Sequence, residues 1–477
     1  MIQTNYIVAI ELSSSKVTGA VGIETINGIK IIATASTLVD GYISKGVVRN
    51  VDKTSEAIAD IINRLEHDLT DNDGKEITIK RAYVSLAGLT MHSIQSKVTR
   101  TFDTYTKISA ETISEMELEN DALFQVPDGY SKVHVITQEY KVDGKTDHNP
   151  IGAPAMAIEG RYLNIVIKKQ FLEQLNESFE QVDTVITDSF VAACMDADIL
   201  LTKDARRNGC ALVNIGAETT TVSIYNNDNL RMLKVLPLGS NNITRDLCAE
   251  QISYDAAEVI KITRGYKSQA SETEPISNET ANNIIRARTG EILQNVKYQI
   301  EESGEMIHNI IFTGGGSRLK NLSILLEEYL PNFNTSIVSD PQLAFECKPG
   351  VNTYGIFTTA LYGLLNHGKE NCCEETSNEP QPTTLFPENI MSGNDTPEED
   401  TTTIANEEEE VRREEEQRKK KEEEDRKRRE EELKKKKKKE KEQALLNKIR
   451  GFGGLFKEFL QDATSEDEDD DINNEDD

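Results

Sequence analysis

The sequence predicts an α/β protein of two similar halves closed around a cleft, with a small α/β insertion and a long charged tail. Three observations lead there. A hydrophobic strand runs into a turn of small and hydroxylated residues and back out again twice, at Ile10-Glu11-Leu12-Ser13-Ser14-Ser15-Lys16 and at Asn214-Ile215-Gly216-Ala217-Glu218-Thr219-Thr220-Thr221. A later strand, residues 308–313, ends in Gly314-Gly315-Gly316. Helical spacing fills the stretches between, the alternation expected of two layered α/β units.

Taken in order, residues 6–12, 17–24 and 29–38 read as strands. Residues 53–66 put Ala57, Ile58, Ile61, Ile62 and Leu65 on one face of an amphipathic helix. A strand at 81–87 follows. From 88 to 160 the pattern changes to short strands, among them 133–143, and a polar helix near 109–123. Residues 161–168 and 210–236 return to strands, 243–268 and 277–302 read as helices, and 355–366 closes the globular part.

Beyond residue 368 the composition shifts. Residues 369–477 hold 36 acidic and 21 basic residues, a net of −15 out of the chain's −29. Residues 369–406 carry prolines among acids, threonines and asparagines and are expected to be a disordered linker. In 407–443, acid-first pairs such as Glu415/Lys419 and Glu424/Arg428 predict a solvated charged helix, reaching about 55 Å at about 1.5 Å per residue, or a charged linker. Residues 444–460 return to an apolar pattern. Leu445, Ile449, Phe452, Phe456 and Phe459 recur at helical spacing, and Leu446, Leu455 and Leu460 widen the stripe. Lys448, Arg450 and Lys457 lie on or near its edges. This predicts an amphipathic helix that lies in lipid headgroups. An acidic stretch, 466–477, follows it within a 461–477 tail.

The three turns carry the functional expectation. Small residues let backbone N–H groups and hydroxyls come close to phosphate oxygens, Lys16 adds a point charge, and glycines at a strand end let backbone lie against a nucleotide's sugar. Neither the globular part nor the tail has a basic net charge, which argues against nucleic acid as a partner. The six cysteines show no metal-ligand spacing, and the reading is buried thiols plus two in the tail, Cys372 and Cys373. No run reaches the roughly 20 apolar residues of a membrane span, and the N-terminus does not read as a signal peptide, so the expectation is a cytoplasmic protein with peripheral membrane contact.

The order of two phosphate hairpins and then a Thr-Gly-Gly turn resembles the actin, chaperone and sugar-kinase superfamily. Within it the stretches DGYISKGVVRNVDKTSEAI, YVSLAGLTMHS, HVITQEYKVDG, LPLGSNNITRDLC and RARTGEIL resemble the FtsA family of bacterial cell-division proteins over essentially all of residues 5–368. That resemblance implies an actin-like two-lobed nucleotide-binding fold. Residues 1–80 with 340–368 would form one half and 163–242 with 310–339 the other. Residues 81–162 would be an inserted SHS2-like subdomain, and 243–309 a helical subdomain on the adenosine and FtsZ-peptide side. It implies ATP with Mg²⁺ as ligands, bound by Ser13, Ser14, Ser15, Lys16, Gly216, Thr219, Thr220, Gly239, Gly314, Gly315, Gly316 and Ser317, with adenosine contacts from Arg288 and Glu291. Glu11 and Asn214 would reach the metal through water. The implied partners are the FtsZ C-terminal peptide, further copies of the chain in filaments, inner-membrane lipids and other divisome proteins. The implied place is the cytoplasmic side of the inner membrane at the division site.

Several residues depart from the family's usual pattern. Ser13 stands where the first hairpin has glycine. In the second, Asn214 and Thr221 replace aspartates, and Ala217 and Glu218 replace glycines. An amide is a poorer partner for hydrated magnesium than a carboxylate, and Glu218 would repel phosphate if it pointed inward. The expectation is a nucleotide held as a structural ligand and hydrolysed slowly or not at all, at most a weak ATPase. The alternatives are a pilus-assembly type adaptor with a similar insertion, or a small-molecule kinase of the same superfamily, which needs a hairpin carboxylate.

Overall fold

The computed structural model describes residues 4–26, 28–69, 76–147, 149–267, 276–338, 346–351 and 358–376. Its strands form two large sheets with the same plan. In the first, Tyr6–Leu12, Lys16–Thr25 and Gly28–Leu38 make an antiparallel meander. Arg81–Leu86 then runs parallel to Tyr6–Leu12, and Val185–Val191 parallel to Arg81–Leu86. In the second, Cys210–Ile215, Thr220–Asn226 and Asn229–Leu236 repeat the meander. Asn309–Thr313 and Asn334–Ile337 repeat the two parallel additions. Parallel neighbours need crossovers, and helices supply them. Val51–Leu69 is one, its Ala57, Ile58, Ile61, Ile62 and Leu65 buried as the spacing predicts.

The period-two alternation of a strand explains how one sheet serves two cores. Along Cys210–Ile215, Cys210 and Leu212 join the core that contains the first meander, while Ala211, Val213 and Ile215 join the core under the helices of the second half. The first turns of both meanders therefore emerge at the junction between the halves.

The insertion has its own small core, built on Val98, Ile108, Met116, Tyr140, Ala155, Ile158 and Tyr162. Its helix Ala110–Leu123 starts where the Ser109 hydroxyl accepts the Thr112 N–H. The strands His92–Lys107, Tyr130–Val142, Lys145–Asp147 and Pro154–Lys168 continue the second sheet through the pairing of His92 with Lys234. Asn229 Nδ2 donates to the Gln138 carbonyl at 2.6 Å and Arg231 to its side-chain oxygen at 3.2 Å, reinforcing that junction.

The structure redraws three expected boundaries. Arg81–Leu86, expected to open the insertion, is a buried strand of the first sheet, and Val185–Val191, expected in the second half, is that sheet's partly exposed outer strand. The helix expected over 243–268 is two helices, Asn241–Cys248 and Tyr254–Arg264, because Gln251 takes φ +64° and Ser253 caps a fresh start. Residues 369–376 are part of the folded unit and not of a linker. Cys373–Thr376 pairs antiparallel with Glu76–Ile79, Cys372 N–H donates to the Tyr6 carbonyl at 2.8 Å, and Tyr83 Oη accepts the N–H groups of Lys369 and Glu370. Cys372 and Cys373 are thus buried core thiols, with burial pushing them up to about 11 and about 12. A chain ended after Gly368 is expected to be less stable than one ended at 381 by at least about 3 kcal/mol, at about 1 kcal/mol for each hydrogen bond lost. Urea unfolding of the two chains measures the difference.

Candidate functional site

The two first turns and the glycine turn after Asn309–Thr313 open onto one cavity of about 620 Å³, within the roughly 300–1,000 Å³ of small-molecule sites. It lies at the carboxyl ends of parallel strands, where open α/β sheets place ligands.

In the first turn the ladder ends at Leu12 and Val17. Ser13 N–H donates to the Lys16 carbonyl at 3.0 Å, and its hydroxyl donates to the same oxygen at 2.8 Å while accepting the Lys16 N–H at 3.2 Å. No residue from 13 to 16 has a positive φ. Serine therefore fills the glycine position without backbone strain, and its hydroxyl closes the turn.

The second turn is closed by Gly216 N–H on the Thr219 carbonyl at 2.8 Å. The start of the helix Asn241–Cys248 docks onto it, with Ser240 and Asn241 N–H groups donating to the carbonyls of Gly216 and Ala217 at 3.0 and 2.7 Å. In the third turn Gly314 takes φ +88°, and a side chain there would press on the Asn214 amide oxygen and lie 2.5 Å from the Ile215 carbonyl. Only glycine lets these two turns meet.

Of the expected ligand residues, Ser13, Ser14, Ser15, Lys16, Gly216, Thr219, Gly314, Gly315 and Gly316 line the cavity, as do Glu11 and Asn214. Thr220, Gly239 and Ser317 sit behind it. Thr220 donates to the Leu238 carbonyl at 2.8 Å, Ser317 to that of Gly314 at 2.7 Å, and Gly239 lies against the backbone of Ala217 and Glu218. Arg288 and Glu291 are not on the cavity wall. Arg288 pairs with Asp246 at 2.5 Å and with Glu291 at 2.8 Å, which ties the helix Asn278–Glu302 to Asn241–Cys248. In this arrangement the pair supports a helix whose first residues border the cavity. Glu218 also points away from it, toward Ser44, Lys45 and Arg245. The expected membrane residues, Leu445 to Leu460, and the charged stretch 407–443 lie outside the described residues.

The structure adds groups that the sequence pattern hid. Asp196, on the helix Ala192–Leu200, is 2% exposed and sits at the cavity floor. It accepts the Asn214 amide at 2.8 Å, the Thr359 hydroxyl and the Ala360 N–H. Thr358 donates to Glu11 in the same way. Burial raises both carboxyls above their ordinary range, and for Glu11 the neighbouring Asp196 adds to it. Burial lowers the Lys16 ammonium, against the pull of Glu11. On another wall Lys261, 6% exposed, pairs with Glu258 at 2.7 Å and donates to Thr244 Oγ1 at 3.0 Å.

Among the described residues no three His, Cys, Asp or Glu side chains converge as a metal cage. The buried Asp196 and the half-buried Glu11, both in need of positive charge and beside turns suited to phosphate, match Mg²⁺, which takes one or two carboxylates plus phosphate oxygens and water. The cavity's size and its small-residue turns likewise fit a nucleotide.

The family model of "Cell division protein FtsA" matches residues 211–345, and that of the "SHS2 domain inserted in FTSA" matches 88–166. Relatives described as cell division protein FtsA include one from Porphyromonas gingivalis, 29% identical over 60% of this chain and 63% of its own length. Others are from Bacillus subtilis, 26% identical over 68% and 77%, and from Escherichia coli, 23% identical over 76% and 90%. A solved structure titled PilM-PilN type IV pilus biogenesis complex shares the fold at 16% identity, with a TM-score of 0.53 over 75% of this chain and 97% of that one. Among the described residues no helix is long and apolar enough to cross a membrane. In its doubled sheet plan, its SHS2-type insertion and its cleft of phosphate-type turns, the chain is similar to the FtsA family of cell-division proteins.

Proposed function

We propose that this chain binds ATP with Mg²⁺ in the cleft and links FtsZ filaments to the cytoplasmic face of the inner membrane at the division site. In this reading it self-associates, takes the FtsZ C-terminal peptide on its 243–309 side, recruits other divisome proteins, and holds lipid through residues 444–460. The single observation that carries the nucleotide part is the convergence of three small-residue turns on one cavity between two like halves.

Lys16 and the backbone of residues 13–15 and 314–316 would hold phosphates, and Lys261 with Glu258 would face the sugar. Glu11 and Asp196 would hold hydrated Mg²⁺, which supplies charge neutralisation of the phosphates. The Asn214 amide donates to Asp196 and brings no charge of its own, so nucleotide serves as a structural ligand with slow turnover.

Titration with a fluorescent ATP analogue is expected to show saturable, Mg²⁺-dependent binding that Lys16→Ala weakens at least tenfold. No saturable binding, or phosphate release as fast as an active ATPase and lost on changing Lys16, sinks this reading. Protons should move with opposite signs at the two ends of the pH scale. A cation near Glu11 and Asp196 lowers their raised pKa values, so binding just above the ordinary carboxylate range releases protons. Phosphate near Lys16 raises its lowered pKa, so binding below the ordinary lysine range takes protons up. Calorimetry in buffers of different ionisation enthalpy reads both.

A further inference from the structure

Glu218 stands in the second phosphate turn where the family pattern has glycine, and its carboxylate reaches across to the other half. There Ile43–Ser44 and Val47–Val48 form a two-stranded hairpin, turned through Lys45 at φ +52° and Gly46 at φ +71°. Ile43 and Val48 are buried, so the hairpin is anchored in the first core. Its tip is packed on three sides. Gly46 N–H donates to Ser14 Oγ in the first phosphate turn at 2.8 Å. Leu89 N–H donates to the Lys45 carbonyl at 3.0 Å, and Gly46 is so close to Gly88 that a Cβ would lie 2.7 Å from the Gly88 Cα. On the third side Glu218 accepts the Ser44 hydroxyl at 2.9 Å, the Lys45 N–H at 2.7 Å and Arg245 at 2.6 Å.

We propose that Glu218 is a nucleotide-retention residue, a clasp that ties the second phosphate turn to the hairpin Ile43–Val48 across the cleft. The side chain is only 12% exposed and has three donors, two from the first half and one from its own. Hydrogen bonds to a buried carboxylate are stronger than neutral ones, and a cleft that separates its halves must break two of them together. Gly46 lines the cavity beside Ser14, so the clasped hairpin borders the phosphate end of the ligand space. A glycine at 218 has no such reach, and the halves would then be joined here by backbone packing alone. This rests on the nucleotide reading above.

The test uses the full chain with bound fluorescent ATP analogue and Mg²⁺, chased with unlabelled ATP in a stopped-flow instrument. Glu218→Gln keeps the shape and removes the charge, Glu218→Gly restores the family residue, and Ser44→Ala removes one donor from the opposite side. Release is expected to quicken at least tenfold for both Glu218 variants and severalfold for Ser44→Ala, with association little changed. Hydrogen exchange at the Lys45 amide is expected to quicken in the Glu218 variants even without nucleotide. Saturable binding with release unchanged in the three variants overturns the clasp and leaves the nucleotide site standing. Slower release in Glu218→Gly also overturns it, since that outcome makes the carboxylate a phosphate repeller. A parent chain that binds no nucleotide overturns both.

Discussion

A chain ended after residue 443 is expected to stay at the bottom of a flotation gradient while the full chain rises with anionic vesicles. Residues 444–460 hold Phe452, Phe456 and Phe459 with Leu445, Leu446, Ile449, Leu455 and Leu460 at helical spacing. Burying such side chains is worth about 1.5–3 kcal/mol each. Gly451, Gly453 and Gly454 cost up to about 1 kcal/mol each relative to alanine, so the expectation is a helix that forms only on contact, with the balance still favouring the bound state. The acidic stretch 466–477 opposes an anionic surface. Removing that stretch alone is therefore expected to strengthen flotation, most at low salt where charges act furthest. A full chain that ignores vesicles, or a 443-residue chain that floats as well as the parent, ends the membrane assignment.

How much of this was legible in the residues follows from how chemistry is written in a chain. The phosphate turns are contiguous, so Ser13-Ser14-Ser15 and Gly314-Gly315-Gly316 announce themselves, and the cavity gathers them as their order implies. Strands 6–12, 17–24 and 29–38 are clear because apolar runs such as Ile7-Val8-Ala9-Ile10 flank a serine-rich turn; Tyr6–Leu12, Lys16–Thr25 and Gly28–Leu38 match within a residue or so at each end. Asp196 was not legible. A lone acid in AACMDADIL reads as the polar side of a helix, and only the fold sets it against Asn214 and Thr359. Val185–Val191 carries Thr187, Asp188 and Ser189 among its apolar residues and shows no clear alternation, though sheet pairing makes it a strand. Arg288 and Glu291 show the converse. Their i,i+3 spacing was plain, but what it signified depended on Asp246, 42 residues away in the chain. Glu218 reads as a departure from glycine, while the direction of its side chain depends on a hairpin 173 residues earlier.

Asn214→Asp restores the family's hairpin acid, and a reading from the motif alone expects it to restore magnesium binding and hydrolysis. The expected result here is a loss of stability at neutral pH of at least about 1–3 kcal/mol, the usual cost of leaving a buried carboxylate without its donor. Asn214 Nδ2 is a donor to Asp196 at 2.8 Å, and the substitution exchanges that donor for a second carboxylate at the same distance. Asp196 is 2% exposed, and water does little to screen the pair. The two acids then share one proton, with an apparent pKa raised above the ordinary range. A raised folded-state pKa contributes stability below the unfolded value and loses it as pH rises, so the variant should approach the parent in acid and fall away toward neutrality. The double change Asn214→Asp with Asp196→Asn reverses the direction of the bond without removing it. It is expected to recover most of the loss and to place the charge on the hairpin, where the family pattern has it. Urea unfolding of the parent, both single variants and the double variant at pH 5 and pH 7 gives the coupling directly. If the four stabilities at neutral pH simply add, the hydrogen bond between Asn214 and Asp196 is not what holds the cavity floor together.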